Sequence, residues 1–288
     1  MPTNDAHPTP APGADAENVA VAWPALRRRL REHGLLETVE AGPEAPPPDS
    51  LVVEHLTDDS REVKRGSTFV AIRGTEADGH SFIDKAIANG AGLVVCEAIP
   101  GAVRERFPGI VFAHVSDTRT ALAEMAAALY GDPADALSLV GVTGTNGKTT
   151  VAFLVHHLLE NLGTTTGLLS TIEVRSGGDT TDSALTTPGP IELQRTLRRM
   201  VDDGCTACAM EVSSHALDQK RVHGLDFDVA IFTNITTDHL DYHGTLRAYR
   251  QAKKKLFDGL SADATALYNV DDESGTLMVD DTAATTIS

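Results

Sequence analysis

The stretch Gly141-Val142-Thr143-Gly144-Thr145-Asn146-Gly147-Lys148-Thr149-Thr150 carries the clearest chemistry in the chain. An apolar run ending at Val142, suited to a buried strand, precedes it. Val151, Leu154, Val155, Leu158 and Leu159 recur behind it at helical spacing. A strand, a glycine-rich turn and a helix leave backbone N–H groups converging on one point without partners, the arrangement that holds a polyphosphate. Lys148 would then bridge the β- and γ-phosphates and the Thr149 hydroxyl would hold Mg²⁺. ATP or GTP binding is therefore expected. The general pattern's first glycine falls at Val142, with Gly141 one place early. A tight connection without a ligand is the alternative, and Lys-Thr-Thr opening an amphipathic helix argues against it.

Three further stretches could do chemistry. Glu211-Val212-Ser213-Ser214-His215 closes a strand, and functional groups gather at carboxyl strand ends in parallel α/β sheets. The Glu211 carboxylate could reach the same Mg²⁺ as Thr149, or be a capping acid. Thr233-Asn234-Ile235-Thr236-Thr237-Asp238-His239-Leu240-Asp241-Tyr242-His243 closes the next strand. Two histidines four apart on a helix could form a transition-metal site; just beyond a strand end, contacts to Mg²⁺ or phosphate are expected instead. In the third stretch Tyr249, Ala252, Leu256 and Phe257 form a helical apolar stripe that places Lys253 on the inner face and turns Lys254 and Lys255 away. A buried lone ammonium requires a carboxylate partner, a lowered pKa or chemical modification, such as the carbamate a neutral amine forms with CO₂. Spacing alone favours a snorkelling lysine.

The elements that must position these groups are bounded by composition. A chain of 288 residues has room for two domains with their own cores, and 41% hydrophobic residues with 24 glycines suits an α/β protein. A net charge of −17 argues against a nucleic-acid surface, which needs clustered Lys and Arg, and suits a salt-adapted or very soluble one. No apolar stretch is long enough to span a bilayer, and the N-terminus lacks the regions of a signal peptide. A cytoplasmic chain without membrane insertion is expected. Cys96, Cys205 and Cys208 fit a reducing compartment. Cys205 and Cys208 form a C-x-x-C with no second pair to complete a zinc site. In the strand-like run 205–212 they would face opposite sides as buried structural thiols.

Residues 1–22 are expected to be a disordered leader, with Pro2, Pro8, Pro10 and Pro12 among small and acidic residues over 1–19. A short helix follows, with Pro24 in its first turn, Leu26 and Leu30 on one face and Gly34 at its end. Residues 42–49 read as a linker. From Leu51 the pattern is strand, turn, strand over 69–72 and a loop from Gly74 to His80. A helix over 82–88, strands over 92–96 and 110–115, and a helix over 118–130 follow. The domain boundary is placed near Asp117. Beyond the phosphate loop, strands are expected over 166–170, 207–212, 229–234 and 265–269, and helices over 190–203 and 246–259. There is no internal repeat.

Taken together in order and spacing, Gly144 to Thr150, Glu211 to His215, Asn234 to His243 and Ala252-Lys253 resemble the Mur ligase family, whose version of the phosphate loop includes the Val142 departure. Asp59-Ser60-Arg61, the Gly74 to His80 loop, Leu185-Thr186-Thr187-Pro188 and Gln219-Lys220-Arg221-Val222 resemble the MurE-type branch, over about residues 51–272. The resemblance implies an α/β fold. A small N-terminal UDP-N-acetylmuramoyl-binding domain (23–117) precedes a mostly parallel-sheet P-loop ATPase domain (118–288), the latter incomplete. It implies an ATP-dependent ligase of peptidoglycan synthesis. This adds diaminopimelate, or lysine, to UDP-N-acetylmuramoyl-L-alanyl-D-glutamate through an acyl phosphate. By that resemblance Gly144, Thr145, Asn146, Gly147, Lys148, Thr149 and Thr150 bind ATP, and Lys148 stabilises the migrating phosphoryl group. Thr149, Glu211, His239 and a carbamylated Lys253 would organise Mg²⁺, which reverses the snorkelling reading. Ser60, Thr75, Glu76 and Ala77 match uridine-side contacts. Thr186, Thr187, Ser213, Gln219 and Arg221 match contacts to the muramoyl dipeptide, where Arg221 suits an acidic substrate. Leu185 stands where some relatives carry a polar contact residue.

The resemblance also makes the chain a C-terminally truncated ligase. It stops soon after Asn269-Val270-Asp271-Asp272, at Thr285-Thr286-Ile287-Ser288, which reads as the start of another strand. By that resemblance the family's third domain is expected to be absent, and the chain, expected as a monomer, is not expected to complete the reaction alone. Two other readings share parts of the pattern. A P-loop kinase or ATPase would need neither a buried Lys253 nor the Ser60 and Arg221 regions, and a non-catalytic UDP-sugar or nucleotide module would bind without consuming ATP. Folate-polyglutamate ligases share the ATP core without a reason for the Asp59-Ser60-Arg61 loop.

Overall fold

The computed structural model describes residues 19–75, 77–98 and 101–288, so most of the expected leader and Glu76 lie outside the described residues. The chain divides into two compact units. The first holds residues up to Ser116 together with Ala127–Asp132, and the second holds Asp117–Ala126 and Pro133–Ser288.

Unit one begins inside the stretch assigned to the leader, which is a correction. Val21–Ala22 (β1) pairs antiparallel with Val52–Val53 (β3), which gives these two residues a backbone partner inside the stretch read as leader. Trp23–Glu32 (α1) starts with Pro24 in its first turn and buries Trp23, Leu26 and Leu30, one stripe at helical spacing. Gly34, at φ +66°, ends it. Leu36–Ala41 (β2) was not expected. Its charged residues hide the period, and it lies at the sheet edge, antiparallel to β7. Leu56–Thr57 (β4), Thr68–Val70 (β5), Leu93–Cys96 (β6) and Val111–Val115 (β7) complete a five-stranded sheet in the order β2-β7-β6-β5-β4. Ile83–Ala88 (α2) and Gly101–Arg106 (α3) are its short helices. Phe69, Ile83, Ala86, Val94 and Phe112 close the core.

Thr118–Leu129 (α4) leads into unit two. Ser138–Thr143 (β8), Thr166–Leu169 (β9), Ala207–Glu211 (β12), Val229–Phe232 (β13), Thr265–Tyr268 (β14) and Thr285–Ile287 (β15) are parallel. Glu173–Ser176 (β10) and Asp179–Asp182 (β11) add an antiparallel hairpin, giving the order β11-β10-β9-β12-β8-β13-β14-β15. The hairpin was not expected, since β11 is exposed throughout and has no buried face to generate a period. The helices are Lys148–Asn161 (α5), Pro190–Asp202 (α6), Ser214–Asp218 (α7), Leu240–His243 (α8), Leu246–Asp258 (α9) and Gly275–Val279 (α10).

The central strands of this sheet are covered on both faces. Cys208 and Met210 of β12 join a core that includes Leu193, Leu197 and Met200 of α6 and Tyr249, Leu256 and Phe257 of α9. Ala209, between them, faces the opposite core with Val142, Leu168 and Ala152 of α5. All three cysteines are buried, but Cys205 and Cys208 share one core rather than opposite faces. Cys205 lies ahead of β12, where strand alternation does not apply. The face of α5 also differs from the expected one. Leu154 and Leu158 are 63% and 59% exposed, while Ala152 and His156 are buried. The helix is apolar on more than one side, and the small Ala152 lets it lie close over Ala209.

β8 is the strand from which the order runs both ways, with β12 on one side and β13 on the other. That is a topological switch point, and crevices at such points form beyond the carboxyl strand ends. Phe232, 1% exposed at the end of β13, anchors the strand there. Phe232→Ala should lower the unfolding free energy by about 3–5 kcal/mol in a denaturant titration, with secondary structure by circular dichroism retained.

Candidate functional site

At the end of β8 the chain turns through Gly144 to Gly147 into α5. A Cβ on Gly144 would stand 1.9 Å from Thr233 Oγ1 and about 3 Å from the Asn234 backbone, so any other residue would displace the Thr233 side chain and crowd the segment after β13. Gly147, at φ +85°, supplies the left-handed step before the helix, and no side chain caps that helix start. The first amides of α5 therefore have no partner within the helix. The turn is fastened from outside. Thr145 N donates to Asn234 O at 2.8 Å. Asn146 N donates to Asn234 Oδ1 at 3.0 Å, and Asn234 Nδ2 returns a bond to Asn146 O at 3.0 Å. Thr233 Oγ1 donates to Asn146 O at 2.7 Å, and Tyr249 OH stands 3.2 Å from Thr145 Oγ1. Asp272 Oδ2 accepts from Ile235 N at 2.8 Å and holds the fastening segment itself.

Two lysines converge on this turn. Lys148 Nζ folds back to donate to Gly144 O at 3.1 Å and Thr145 O at 2.9 Å. Burial lowers its pKa, against the opposing pull of Glu211 and Asp238. Lys253 lies on the inner face of α9 as its spacing implied, but at 1% exposure it does not snorkel; it donates to the same Gly144 O at 2.7 Å and lies 4.6 Å from the centre of the Tyr249 ring. Burial first, and then the Lys148 charge, push it from 10.5 down to about 7. Lys254 and Lys255 point outward, to Asp258 and Asp281 and to Asp218.

Glu211 ends β12, 1% exposed. Its Oε1 accepts from Thr171 N at 2.7 Å and its Oε2 from Thr171 Oγ1 at 3.1 Å, with Thr186 Oγ1 3.1 Å from that hydroxyl. Thr187 Oγ1 donates to Glu211 O at 2.9 Å and accepts from Ser213 N at 3.0 Å. Arg221 Nη1 donates to Thr187 O at 2.9 Å, and its Nε and Nη2 donate to Gln219 Oε1 at 3.0 and 2.7 Å. Thr186, Thr187, Ser213, Gln219 and Arg221 are thus one connected group. Leu185 is 53% exposed beside it.

His239 takes a left-handed backbone ahead of α8 and is half-exposed beside Asp238. Its ring lies 4.8 Å from His215 and 6.0 Å from Tyr249. Burial, then His239 and His243, lower the pKa of His215. Among the described residues no group of three His, Cys, Asp or Glu could hold a metal ion. The Thr149 hydroxyl and the Glu211 carboxylate are oxygen donors of the kind that a hard cation such as Mg²⁺ takes alongside phosphate and water.

In unit one, Ser60 is buried and its carbonyl accepts from Asn89 Nδ2 at 2.8 Å, beside the paired Asp59 and Arg61. Thr75 and Ala77 are exposed on a loop closed by Gly74 N donating to Ala77 O at 2.9 Å. Asp78 accepts from the N and Nδ1 of His80 at 3.0 and 2.7 Å.

The sequence reading quoted Asn234 without a role and passed over Thr171 and Tyr249 as bracing residues. A polar pair at a strand end, Thr233-Asn234, is a usable signal. Thr171 had none, lying before an unread hairpin.

Residues 142–288 match the family described as the Mur ligase middle domain, and residues 52–130 match the Mur ligase family, catalytic domain. A UDP-N-acetylmuramoyl-L-alanyl-D-glutamate–2,6-diaminopimelate ligase from Parabacteroides distasonis is 48% identical over 236 residues, covering 82% of this chain and 48% of the relative. A relative of the same name from Chlorobaculum tepidum is 44% identical over 268 residues, covering 93% and 49%. A solved structure with that name aligns with a TM-score of 0.72 at 26% identity, covering 93% of this chain and 52% of that one. The chain spans about half the length of the curated relatives it matches.

The shifted Lys253 makes stability depend on pH. Between about 7 and 10.5 the unfolded chain holds a proton that the folded chain has released, so stability rises with pH across that window and levels off outside it. Relative to Lys253→Met, the wild-type chain should gain up to about 1.4 kcal/mol per pH unit there, measured by denaturant titration in CO₂-free buffer. A difference independent of pH would mean that Lys253 titrates normally.

Proposed function

The chain belongs to the Mur ligase family, and from that premise we propose that it provides the nucleotide and muramoyl-peptide sites of an ATP-dependent amide ligase of peptidoglycan synthesis. The reaction adds 2,6-diaminopimelate, the amino acid in the names of the relatives, to UDP-N-acetylmuramoyl-L-alanyl-D-glutamate. The observation that carries the reading is the meeting of Lys148 and Lys253 on the Gly144 carbonyl, at the start of an uncapped helix. Uncapped amides and an adjacent Lys-Thr-Thr suit a triphosphate. A lysine brought near neutrality suits conversion into an anion beside it.

The substrate carboxylate attacks the γ-phosphorus of ATP and ADP leaves. The amine of the incoming amino acid then attacks the acyl phosphate carbon, expelling phosphate and losing a proton. Gly144 to Thr150 bind the phosphates, and Lys148 leaves the Gly144 and Thr145 carbonyls to follow the migrating phosphoryl group. Arg221, held on Gln219 and Thr187, receives the acidic peptide with Thr186 and Ser213. Ser60, Thr75, Glu76 and Ala77 take the uridine side. Thr149, Glu211 and His239 would hold Mg²⁺, which when bound neutralises phosphate charge. The neutral Lys253 amine attacks CO₂, forming an N–C bond and releasing one proton. The resulting carbamate turns a cation into an oxygen donor. A nucleotide substrate of this kind supports a cytoplasmic setting.

Calorimetric titration tests the assignment. The chain should bind ATP with Mg²⁺ and, separately, the UDP-muramoyl dipeptide. Arg221→Ala should weaken the dipeptide by about 10- to 100-fold, the loss of charge-assisted hydrogen bonds, and leave ATP unchanged. A folded chain that binds ATP but not the dipeptide would sink the substrate assignment. With ¹³C-bicarbonate, a carbamate carbon resonance should appear in the wild-type chain and be missing from Lys253→Arg.

A further inference from the structure

The turn after α7 carries a residue that the ligation chemistry leaves unused. α7 stops at Asp218, and the chain reverses so that Lys220 N donates to Leu217 O at 3.3 Å and Arg221 N donates to Ala216 O at 2.8 Å. These are the two bonds of a Schellman cap, whose left-handed position is ordinarily glycine. After α1, α5 and α6 that position is indeed Gly34, Gly163 and Gly204. After α7 it is Lys220, at φ +58°. A side chain kept where glycine is favoured calls for a reason in the side chain.

Lys220 Nζ pairs with the Asp117 carboxylate and lies 3.0 Å from Thr120 Oγ1. Three residues on, His223 Nε2 stands 3.0 Å from Glu124 Oε1, a carboxylate that is almost wholly buried. Asp117, Thr120 and Glu124 follow one another at the spacing of a single helical face at the start of α4. The turn is therefore fastened to α4 at two points, and the residue next to the first fastening is Arg221. Its guanidinium is held on Thr187 O and Gln219 Oε1. Burial works against the Asp117 carboxylate, yet the bonds from Lys220 and the Thr120 amide outweigh it and keep the pKa below the ordinary value.

We propose that Lys220 is a positioning residue: tethered to Asp117 and Thr120, it holds the left-handed turn that presents Arg221 to the acidic end of the substrate. The proposal rests on the reading of Arg221 as a peptide contact. It separates two properties that a merely structural cap would join. Lys220→Gly suits the backbone better but removes the tether. Asp117→Asn keeps the helix cap, since Asn can still accept from Thr120 N, and removes the ion pair.

The test is calorimetric binding of the UDP-muramoyl dipeptide and of ATP with Mg²⁺ to four variants, with melting temperature measured alongside. Lys220→Gly and Asp117→Asn should each weaken the dipeptide about tenfold, with ATP binding unchanged and, for Lys220→Gly, no fall in melting temperature. Lys220→Arg, which can still reach Asp117, should stay within about threefold of wild type. In the active ligase the loss should fall on KM for the muramoyl substrate and not on kcat. Wild-type dipeptide binding by Lys220→Gly, alongside lost binding in Arg221→Ala, overturns the positioning role alone. Unchanged binding in Arg221→Ala overturns the substrate reading and the positioning role with it.

Discussion

The carbonyl oxygen of Gly144 accepts from both Lys148 and Lys253, and much of unit two follows from making that shared acceptor possible. Two ammonium groups on one oxygen, away from water, cannot both stay charged without cost, and the more buried one yields. Lys253 is the more buried of the two, and it is the one driven near neutrality. The carbonyl can face both lysines only because the backbone at Gly144 passes against Thr233, where a Cβ has no room. Thr233 stands there because β13 pairs with β8 in a register that sets Phe232 opposite Thr143. A local feature of ten residues thus depends on a strand pairing across 89 positions.

The opposite flank is organised by a different constraint. Glu211 is a buried carboxylate whose oxygens accept from Thr171, whose carbonyl accepts from Thr187, and whose neighbour Ser213 donates to Thr187. Buried polar groups must be satisfied, and here a backbone amide and a hydroxyl of one short side chain satisfy the carboxylate. The guanidinium of Arg221 joins through the Thr187 carbonyl, so an alteration on either side of β12 is transmitted along a few hydrogen bonds. Such a network holds direction as well as energy. The fastening of the 219–223 turn to α4 extends the same rigidity outward.

The regular parts of the fold were legible because strands covered on both faces read as apolar runs, as in 139–142, 207–212 and 229–232. The glycine-rich turn, Lys253 and the alternation of strand and helix were visible for the same kind of reason: each is a pattern in consecutive or helically spaced residues. Where that signal was weak, the reading failed. β2 and the β10–β11 hairpin carry polar residues on exposed faces, α5 is apolar on more than one side, and Cys205 lies just outside the strand whose alternation was applied to it.

By itself, the sequence determined the order of elements, the phosphate-loop pattern and the presence of a lysine on the inner stripe of α9, since local spacing dictates which face of an element is apolar. Only the tertiary structure decided which distant residues serve that pattern. Asn234 grips the loop from residues 88 positions away, Thr171 satisfies Glu211 from 40 away, and Lys220 reaches α4 across 103. Hydrogen bonds and ion pairs act over a few ångströms in space and carry no trace of sequence separation. Until β8, β12 and β13 lie side by side, the partners of the site do not exist.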